Sequence, residues 1–213
     1  MGTADMSEHQ QDTPRPDLTQ TAAVVADVVR GVSDEDLGRP TPCPGTSVAA
    51  MLDHVAGLTM AFTAAAQHQP VPGGDQPPSP DASRLDPAFR ESIPAALTRL
   101  AEAWRAPEAW TGATKVGGVD LPRQVAGLVA LDEVVVHGWD LAVATAQPYD
   151  PPAAGVEGAL GFVGQAVAEN PGGTPGLFGP RVAVPDEAPA LHRLLGLTGR
   201  DPQWRPSSRS EAE

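Results

Sequence analysis

The spacing of apolar residues along this chain predicts helices over most of its length. Apolar residues recur every three or four positions in five long segments, which is the period of a helix with one buried face. No segment alternates convincingly between apolar and polar residues, so we expect no strand. Long helices without strands favour an all-α bundle. The predicted helices cover residues 17–30, 46–67, 87–105, 121–145 and 153–169, with a short one at 188–197.

Capping residues mark where the first three helices begin. We expect Asp17 to cap the first helix, because its side chain can accept a hydrogen bond from a free backbone N–H. Thr46 or Ser47 is expected to cap the second helix. Asp86 is expected to cap the third, with Pro87 as its first residue.

Segments rich in Pro and Gly, or in polar residues, separate and flank the helices. Long loops are predicted at 69–86 and 106–120, and residues 178–185 are predicted to be extended or irregular. The ends, residues 1–16 and 206–213, are predicted to be disordered. These boundaries leave one helical domain, at 17–205.

Composition and charge narrow the classes of function. The chain has 213 residues, of which 41% are hydrophobic, and its net charge is −13. This acidic balance argues against a nucleic-acid partner, which needs a basic surface. We find no apolar run that approaches the ~20 residues of a membrane span, and no signal peptide, so we expect no membrane partner. The single cysteine, Cys43, cannot form an internal disulfide, which fits a reducing cytoplasm.

The helix predicted at 121–145 carries polar residues in an unusually apolar segment. Its residues 128–144 read LVALDEVVVHGWDLAVA, which predicts burial on several sides. At about 100° per residue, Glu133, His137 and Asp140 fall within an arc of roughly 60°. Buried charges are costly unless something neutralises them, and a metal ion would do so.

A second helix offers a further ligand for such an ion. Glu133 and His137 are four residues apart, a spacing that places two side chains on adjacent turns of one face. His54 lies within an apolar arc of the second predicted helix, which also fits a satisfied core histidine. Asp140 either binds the free ring nitrogen of His137 and so orients the ring, or is a solvated helix residue, and the sequence leaves both interpretations open.

We assign no catalytic or binding role to the single cysteine or to the other three histidines. Cys43 precedes a helix, where a thiol can have a lowered pKa, but we favour a small side chain buried in a turn. His9 falls in the N-terminal tail, His68 at a helix end and His192 on the short last helix, and we assign no function to them.

Three segments carry a resemblance to a known family. They are TPCPGTSVAAMLDHVAG at 41–57, LDEVVVHGWDLAVATAQ at 131–147 and FGPRVAVPDEAPALHRLLGLTGRDP at 178–202. The chain resembles the DinB-like superfamily and, within it, the mycothiol-dependent maleylpyruvate isomerase-type proteins of actinobacteria. The resemblance implies a four-helix bundle with an additional short C-terminal helix. It also implies a metal, usually zinc with nickel as the alternative, held by His54, Glu133 and His137.

The resemblance also implies a chemistry. Three protein ligands leave a zinc ion one open position, as in catalytic zinc sites. A thiol bound there loses its proton near neutral pH, and the implied thiol is mycothiol. Its attack on a small electrophile would make the protein an S-transferase or a cis–trans isomerase. The alternatives are a metal-binding module without catalysis, a hydrolase with Asp140 as general base, and a plain helical bundle whose polar stripes satisfy each other.

Further residues are candidates for binding the thiol or an acidic substrate. Trp139 and Arg84 are the first choices, followed by Trp110, Arg90 and Arg181. Members of the superfamily can dimerise, and no segment here decides whether a homodimer forms. The full isomerases also carry a sterol-carrier-like C-terminal domain where this chain has only residues 178–202, so we expect the metal site to be kept rather than the specific isomerisation.

Overall fold

Helices form most of the structure, a computed structural model that describes residues 15–70, 76, 79–169 and 178–206. The predicted disorder of residues 1–14 and 207–213 lies outside the described residues, as does part of the predicted loop at 69–86. In the described part, three single 3₁₀ turns accompany the regular elements. These elements are α1 (Thr19–Gly31), α2 (Val48–Ala66), α3 (Phe89–Arg105), β1 (Ala113–Val116), β2 (Val119–Pro122), α4 (Arg123–Ala144), α5 (Ala153–Glu169) and α6 (Ala190–Leu197).

The first four helices form a bundle in which each helix packs against two neighbours. Helix α1 contacts α3 and α4, and α2 contacts the same two helices from the opposite corner. Helix α5 packs on the outside of α4, and α6 packs on α5. The core contains large side chains that are completely or almost completely buried, among them Met51, Leu52, Leu97, Leu131, Leu141 and Leu194. The predicted all-α bundle with a short C-terminal helix is therefore confirmed.

One of the three predicted caps occupies the cap position of its helix. The side chain of Ser47 accepts a hydrogen bond from the N–H of Ala50 and caps α2, as predicted. Asp17 accepts a hydrogen bond from the N–H of Thr19 at 2.8 Å, but Leu18 occupies the cap position of α1, so the predicted cap is one residue too early. The third helix begins at Phe89 with Ala88 at its cap position, so the predictions that Asp86 caps it and that Pro87 is its first residue are wrong.

The expectation of no strand is also wrong. Residues 113–122, predicted as the end of a loop and the start of α4, form an antiparallel hairpin with Val116 opposite Val119. Gly117 and Gly118 make the turn with φ values of 58° and 80°, a conformation that glycine adopts without steric cost. The strands have four residues each, too few for an alternating pattern to stand out. Helix α4 consequently begins at Arg123.

One helix meets the length and composition of a membrane span, contrary to our interpretation of the sequence. Helix α2 has 19 residues and is apolar enough to cross a bilayer by those two measures. Within the fold it is a core helix, because Met51, Leu52 and Val55 are buried between α3 and α4. Its apolar character therefore has a structural explanation in the bundle.

The C-terminal segment returns to the bundle after α5. Residues 178–185 are irregular, as predicted, and are joined to α6 by a hydrogen bond from the N–H of Val182 to the carbonyl of Gly196. Helix α6 ends at Leu197, and Gly199 follows with a φ of +86°. This reversal directs the next residue, Arg200, back towards α4.

Candidate metal centre

The polar stripe of α4 lies inside the protein. The side chain of Glu133 is 15% exposed, that of His137 is 8% exposed and that of Asp140 is fully buried. Helix α4 is enclosed by α1, α2 and α5, which explains why its apolar residues surround the stripe on both sides. A polar group at such a position must find a partner within the protein.

Helix α2 places His54 directly against this stripe. The rings of His54 and His137 meet edge to face, with centroids 5.0 Å apart. Nε2 of His137 lies 2.8 Å from Oε2 of Glu133. One possible ligand atom from each of His54, Glu133 and His137 lies within 4.8 Å of the others. The structure thus brings together the three residues that the sequence singled out on two separate helices.

Asp140 contacts the opposite edge of the His137 ring. Its Oδ2 accepts a hydrogen bond from Nδ1 of His137 at 2.9 Å. Because Asp140 is completely buried, the interpretation of it as a solvated helix residue is wrong. The contact leaves Nε2 of His137 facing Glu133 and His54, which is the arrangement in which a carboxylate orients a ligating histidine.

Arg200, which no sequence pattern singled out, reaches the same carboxylate. Its Nη2 donates to Oδ2 of Asp140 and to Sγ of Cys43, both at 3.2 Å. Cys43 also donates to Oδ2 of Asp140 at 3.4 Å, so its side chain belongs to a polar cluster rather than merely filling a turn. The one sequence feature that could have drawn attention to Arg200 is Gly199 before it, because a glycine commonly ends a helix and reverses the chain there.

Burial and neighbouring charges act against each other on these groups. Burial alone lowers the pKa of His137, but its contacts with Asp140, Cys43 and Glu133 raise that pKa well above the ordinary value. Burial raises the pKa of Asp140, but the charge of Arg200 and the hydrogen bond from His137 bring it below the ordinary value. Both directions follow from one ionic network that favours the charged forms.

Asp132, next to Glu133 in the chain, is shifted in the opposite direction. Burial, followed by the charge of Glu133, raises the pKa of Asp132 to about 8. Its Oδ1 is buried and has no hydrogen-bond partner among the described residues. Asp132 lies outside the arc that holds Glu133 and His137, so it does not join the ligand cluster.

The residues predicted to bind a thiol or an acidic substrate lie away from this cluster. Trp139 is two residues from His137 and therefore roughly 160° away around α4, in the hydrophobic core. Arg84 pairs with Asp53 at 2.8 Å and with Asp81 at 3.1 Å, and its side chain is half exposed.

The secondary choices have other partners or stand at the surface. Trp110 donates from its indole N–H to the carbonyl of Trp104, deep in the core. Arg90 binds the carbonyl of Val32 and the carboxylate of Asp34. Arg181 is exposed.

The histidines to which no function was assigned also stand apart from the cluster. His68 lies at the end of α2 with its Nε2 3.0 Å from the carbonyl of Glu108. His192 is exposed on α6. His9 lies outside the described residues.

Comparison with known families identifies the bundle. Residues 18–142, more than half of the chain, match the family model of the mycothiol maleylpyruvate isomerase N-terminal domain. The chain belongs to this family. Its matched region begins just before α1 and ends within α4, two residues beyond Asp140, so it spans the four-helix bundle and the His54–Glu133–His137 cluster.

Two solved structures resemble this member of the isomerase family. One is a mycothiol-dependent maleylpyruvate isomerase, 20% identical, with a TM-score of 0.55 over 73% of this chain and 70% of that chain. The other is a mutant of that isomerase with one histidine replaced by alanine, with a TM-score of 0.56 at the same identity and coverage. At this identity the likeness establishes the fold. No curated protein sequence matches the chain.

The donor atoms of this family member suit a divalent ion. Two imidazoles and one carboxylate form a ligand set that zinc takes in catalytic sites. Nδ1 of His137 is already engaged by Asp140, so its Nε2 is the nitrogen directed towards the other two residues. The three side chains could therefore hold one ion.

Proposed function

We propose that this chain is a metal-dependent enzyme that uses mycothiol as a nucleophile on a small electrophile, as an S-transferase or a cis–trans isomerase. The observation that carries the proposal is the approach of the His54, Glu133 and His137 ligand atoms to within 4.8 Å. Membership of the mycothiol maleylpyruvate isomerase family supports the choice of thiol. A reducing cytoplasm, where such a thiol stays reduced, is part of the proposal.

His54, Glu133 and His137 would hold the metal, with zinc as the first choice and nickel as the alternative. When bound, the ion would supply a positive charge that favours the thiolate form of the co-substrate near neutral pH. Glu133 contributes the negative ligand, which partly neutralises the ion in a buried site. Apolar residues of α2 and α4 belong to the hydrophobic core, and surroundings of low polarity would strengthen each of these electrostatic interactions.

Asp140 and Arg200 would keep His137 in one orientation. Asp140 accepts a hydrogen bond from Nδ1 of His137, and Nη2 of Arg200 donates to the same carboxylate oxygen. Because Asp140 is fully buried and its Oδ2 already accepts three donors, we assign it an orienting role instead of direct contact with substrate. This assignment favours the thiol chemistry over the hydrolase alternative, which needs a base in contact with water.

The thiol would determine the class of electrophile. A thiolate adds to an activated carbon–carbon double bond, and the adduct can rotate about the resulting single bond. Expulsion of the thiolate then restores the double bond in the trans form, whereas uptake of a proton from solvent by the anionic adduct gives a stable thioether, the product of a transferase. The small-molecule partners are thus mycothiol and an electrophile with an activated double bond.

The first test is metal content by elemental mass spectrometry on the wild type, His54→Ala and His137→Ala, prepared without chelators or metal-affinity resin. We expect about one zinc or nickel per chain in the wild type and a loss in both variants. His192→Ala is the matched control, since His192 is exposed on α6 and should leave the metal content unchanged.

The second test adds mycothiol. Calorimetric binding of mycothiol to the metal-loaded wild type, and its loss in His54→Ala, would support the thiol-dependent function. Metal without any affinity for the thiol would favour a binding module, and ester hydrolysis without thiol would favour a hydrolase. Absence of metal from the wild type would refute the proposal.

A further inference from the structure

The guanidinium of Arg200 lies at the inner edge of the candidate metal centre. Its Nη2 contacts Sγ of Cys43 and Oδ2 of Asp140, each at 3.2 Å. Its side chain is 12% exposed, so the charge is largely removed from solvent. A buried cation of this kind is stable only with an anionic or strongly polar partner, which Asp140 provides.

The backbone around Arg200 fixes this side chain in place. The N–H of Arg200 donates to the carbonyl of Leu195, and its Nη1 donates to the carbonyl of Thr198. Gly199 precedes it with a φ of +86° and passes so close to Gly179 that a Cβ would lie 2.9 Å from the Gly179 Cα. Hydrogen bonds from both the backbone and the side chain of Arg200 therefore hold the guanidinium in this position.

The groups around this guanidinium would themselves form a set of metal ligands. Cys43, His137 and Asp140 each offer a ligand atom within 4.8 Å of the other two. This inner cluster includes a thiol, so it is chemically suited to thiophilic ions such as Cd²⁺ and Zn²⁺. His137 belongs both to the inner cluster and to the outer cluster with His54 and Glu133. Two ligand sets thus compete for one imidazole.

We propose that the guanidinium of Arg200 takes the place of a metal ion in the inner cluster. Its charge excludes metal from that cluster, so the ion binds only at His54, Glu133 and His137. This inference rests on the proposed function, because it assumes that the outer cluster is the metal site. A divalent ion beside Cys43 and Asp140 would stand next to the guanidinium and be repelled by it. Arg200 is accordingly a positioning residue that selects the site of the metal.

The role also explains why one carboxylate oxygen has three donors. Oδ2 of Asp140 accepts from His137, Cys43 and Arg200, whereas its buried Oδ1 has no hydrogen-bond partner among the described residues. With Arg200 in place, Asp140 orients His137. Without Arg200, the Cys43 thiol and the Asp140 carboxylate would be free to bind an ion themselves.

Cadmium titration of the full chain, after removal of metal with a chelator, tests the inference. A Cd–thiolate bond forms with loss of the thiol proton to the buffer and produces an ultraviolet charge-transfer band. We expect the wild type to bind Cd²⁺ without this band. Arg200→Leu, which removes the charge and adds no ligand atom, should show the band, and Arg200→Leu with Cys43→Ser should lose it again.

The controls separate this inference from the proposed function. Arg200→Lys keeps a cation and should behave as the wild type, without the band. A thiolate band in the wild type would overturn the inference even if every Arg200 variant failed to fold, as would a folded Arg200→Leu protein that binds Cd²⁺ without the band. Wild-type binding that is absent, or unaffected by His54→Ala, would instead contradict the outer site of the proposed function.

Discussion

Nδ1 of His137 donates to Oδ2 of Asp140 at 2.9 Å, and both residues lie on the same face of α4, one turn apart. This contact determines which nitrogen of His137 faces Glu133 and His54. It therefore links a fully buried carboxylate to the three residues proposed to hold the metal ion.

Replacement of Asp140 by Asn should weaken metal binding without abolishing it. Loss of the carboxylate removes the acceptor that orients His137, and outer partners of this kind typically contribute about tenfold to hundredfold in metal affinity. Competition with a chromogenic chelator would measure the change. Asp53→Asn is the control, because Asp53 neighbours His54 on α2 but pairs with Arg84. Equal affinities in the two variants would contradict the orienting role.

Metal should reverse the pH dependence of stability. In protein freed of metal by a chelator, burial opposes the charged form of His137. Contacts with Asp140, Cys43 and Glu133 outweigh burial and raise the pKa of His137, so the charged form stabilises the fold. That contribution is complete below about pH 6.5 and is lost as pH rises through the folded-state pKa. Metal binding needs the deprotonated Nε2, so metal affinity should rise over the same range.

Thermal unfolding at several pH values, without Zn²⁺ and with free Zn²⁺ at about 100 times its dissociation constant, would show both trends. Saturation at about 100 times the dissociation constant corresponds to about 2.7 kcal/mol of stabilisation. His54→Ala should remove the stabilisation by zinc and keep the pH dependence of stability seen in the metal-free protein. Metal-free protein that becomes more stable above about pH 6.5 would exclude a dominant contribution from His137.

Replacement of Asp132 by Asn should stabilise the protein at alkaline pH. The pKa of Asp132 is raised to about 8 by burial and by Glu133, so folding favours its neutral form. The stability from that preference is present near pH 4 and is lost as pH rises towards 8. Asn is neutral at every pH, so we expect a gain of about 1–3 kcal/mol at pH 9 and little change at pH 4. Chemical denaturation at the two pH values would test this.

Replacement of Gly199 by Ala should disturb the C-terminal segment. Gly199 has a φ of +86°, and a Cβ there would lie 2.9 Å from the Cα of Gly179. We expect a loss of more than about 1 kcal/mol in the free energy of unfolding. Gly161→Ala is the control, since Gly161 lies in α5 with nothing within 4 Å of an added Cβ, and should gain up to ~1 kcal/mol. Similar effects of the two substitutions would show that Gly199 is not constrained.

The sequence determined the helices and part of the site, because those signals are local. The period of apolar residues located α2, α4 and α5, and Ser47 marked the start of α2. The spacing of Glu133 and His137 on one helix placed both on the same face whatever the tertiary structure. The hairpin at 113–122 was missed because its strands are too short for their pattern to be distinguished from a loop.

Only the tertiary structure decided how distant residues meet. Whether His54 approaches His137 depends on the packing of α2 against α4, which no local pattern specifies. Arg200 and Cys43 are separated by 157 positions, and they converge on Asp140 because α6 ends in a glycine-directed reversal. The residues chosen by type alone, Trp139 and Arg84, lie elsewhere. The sequence specifies which chemical groups are available, but the packing of the helices decides which of them lie close together.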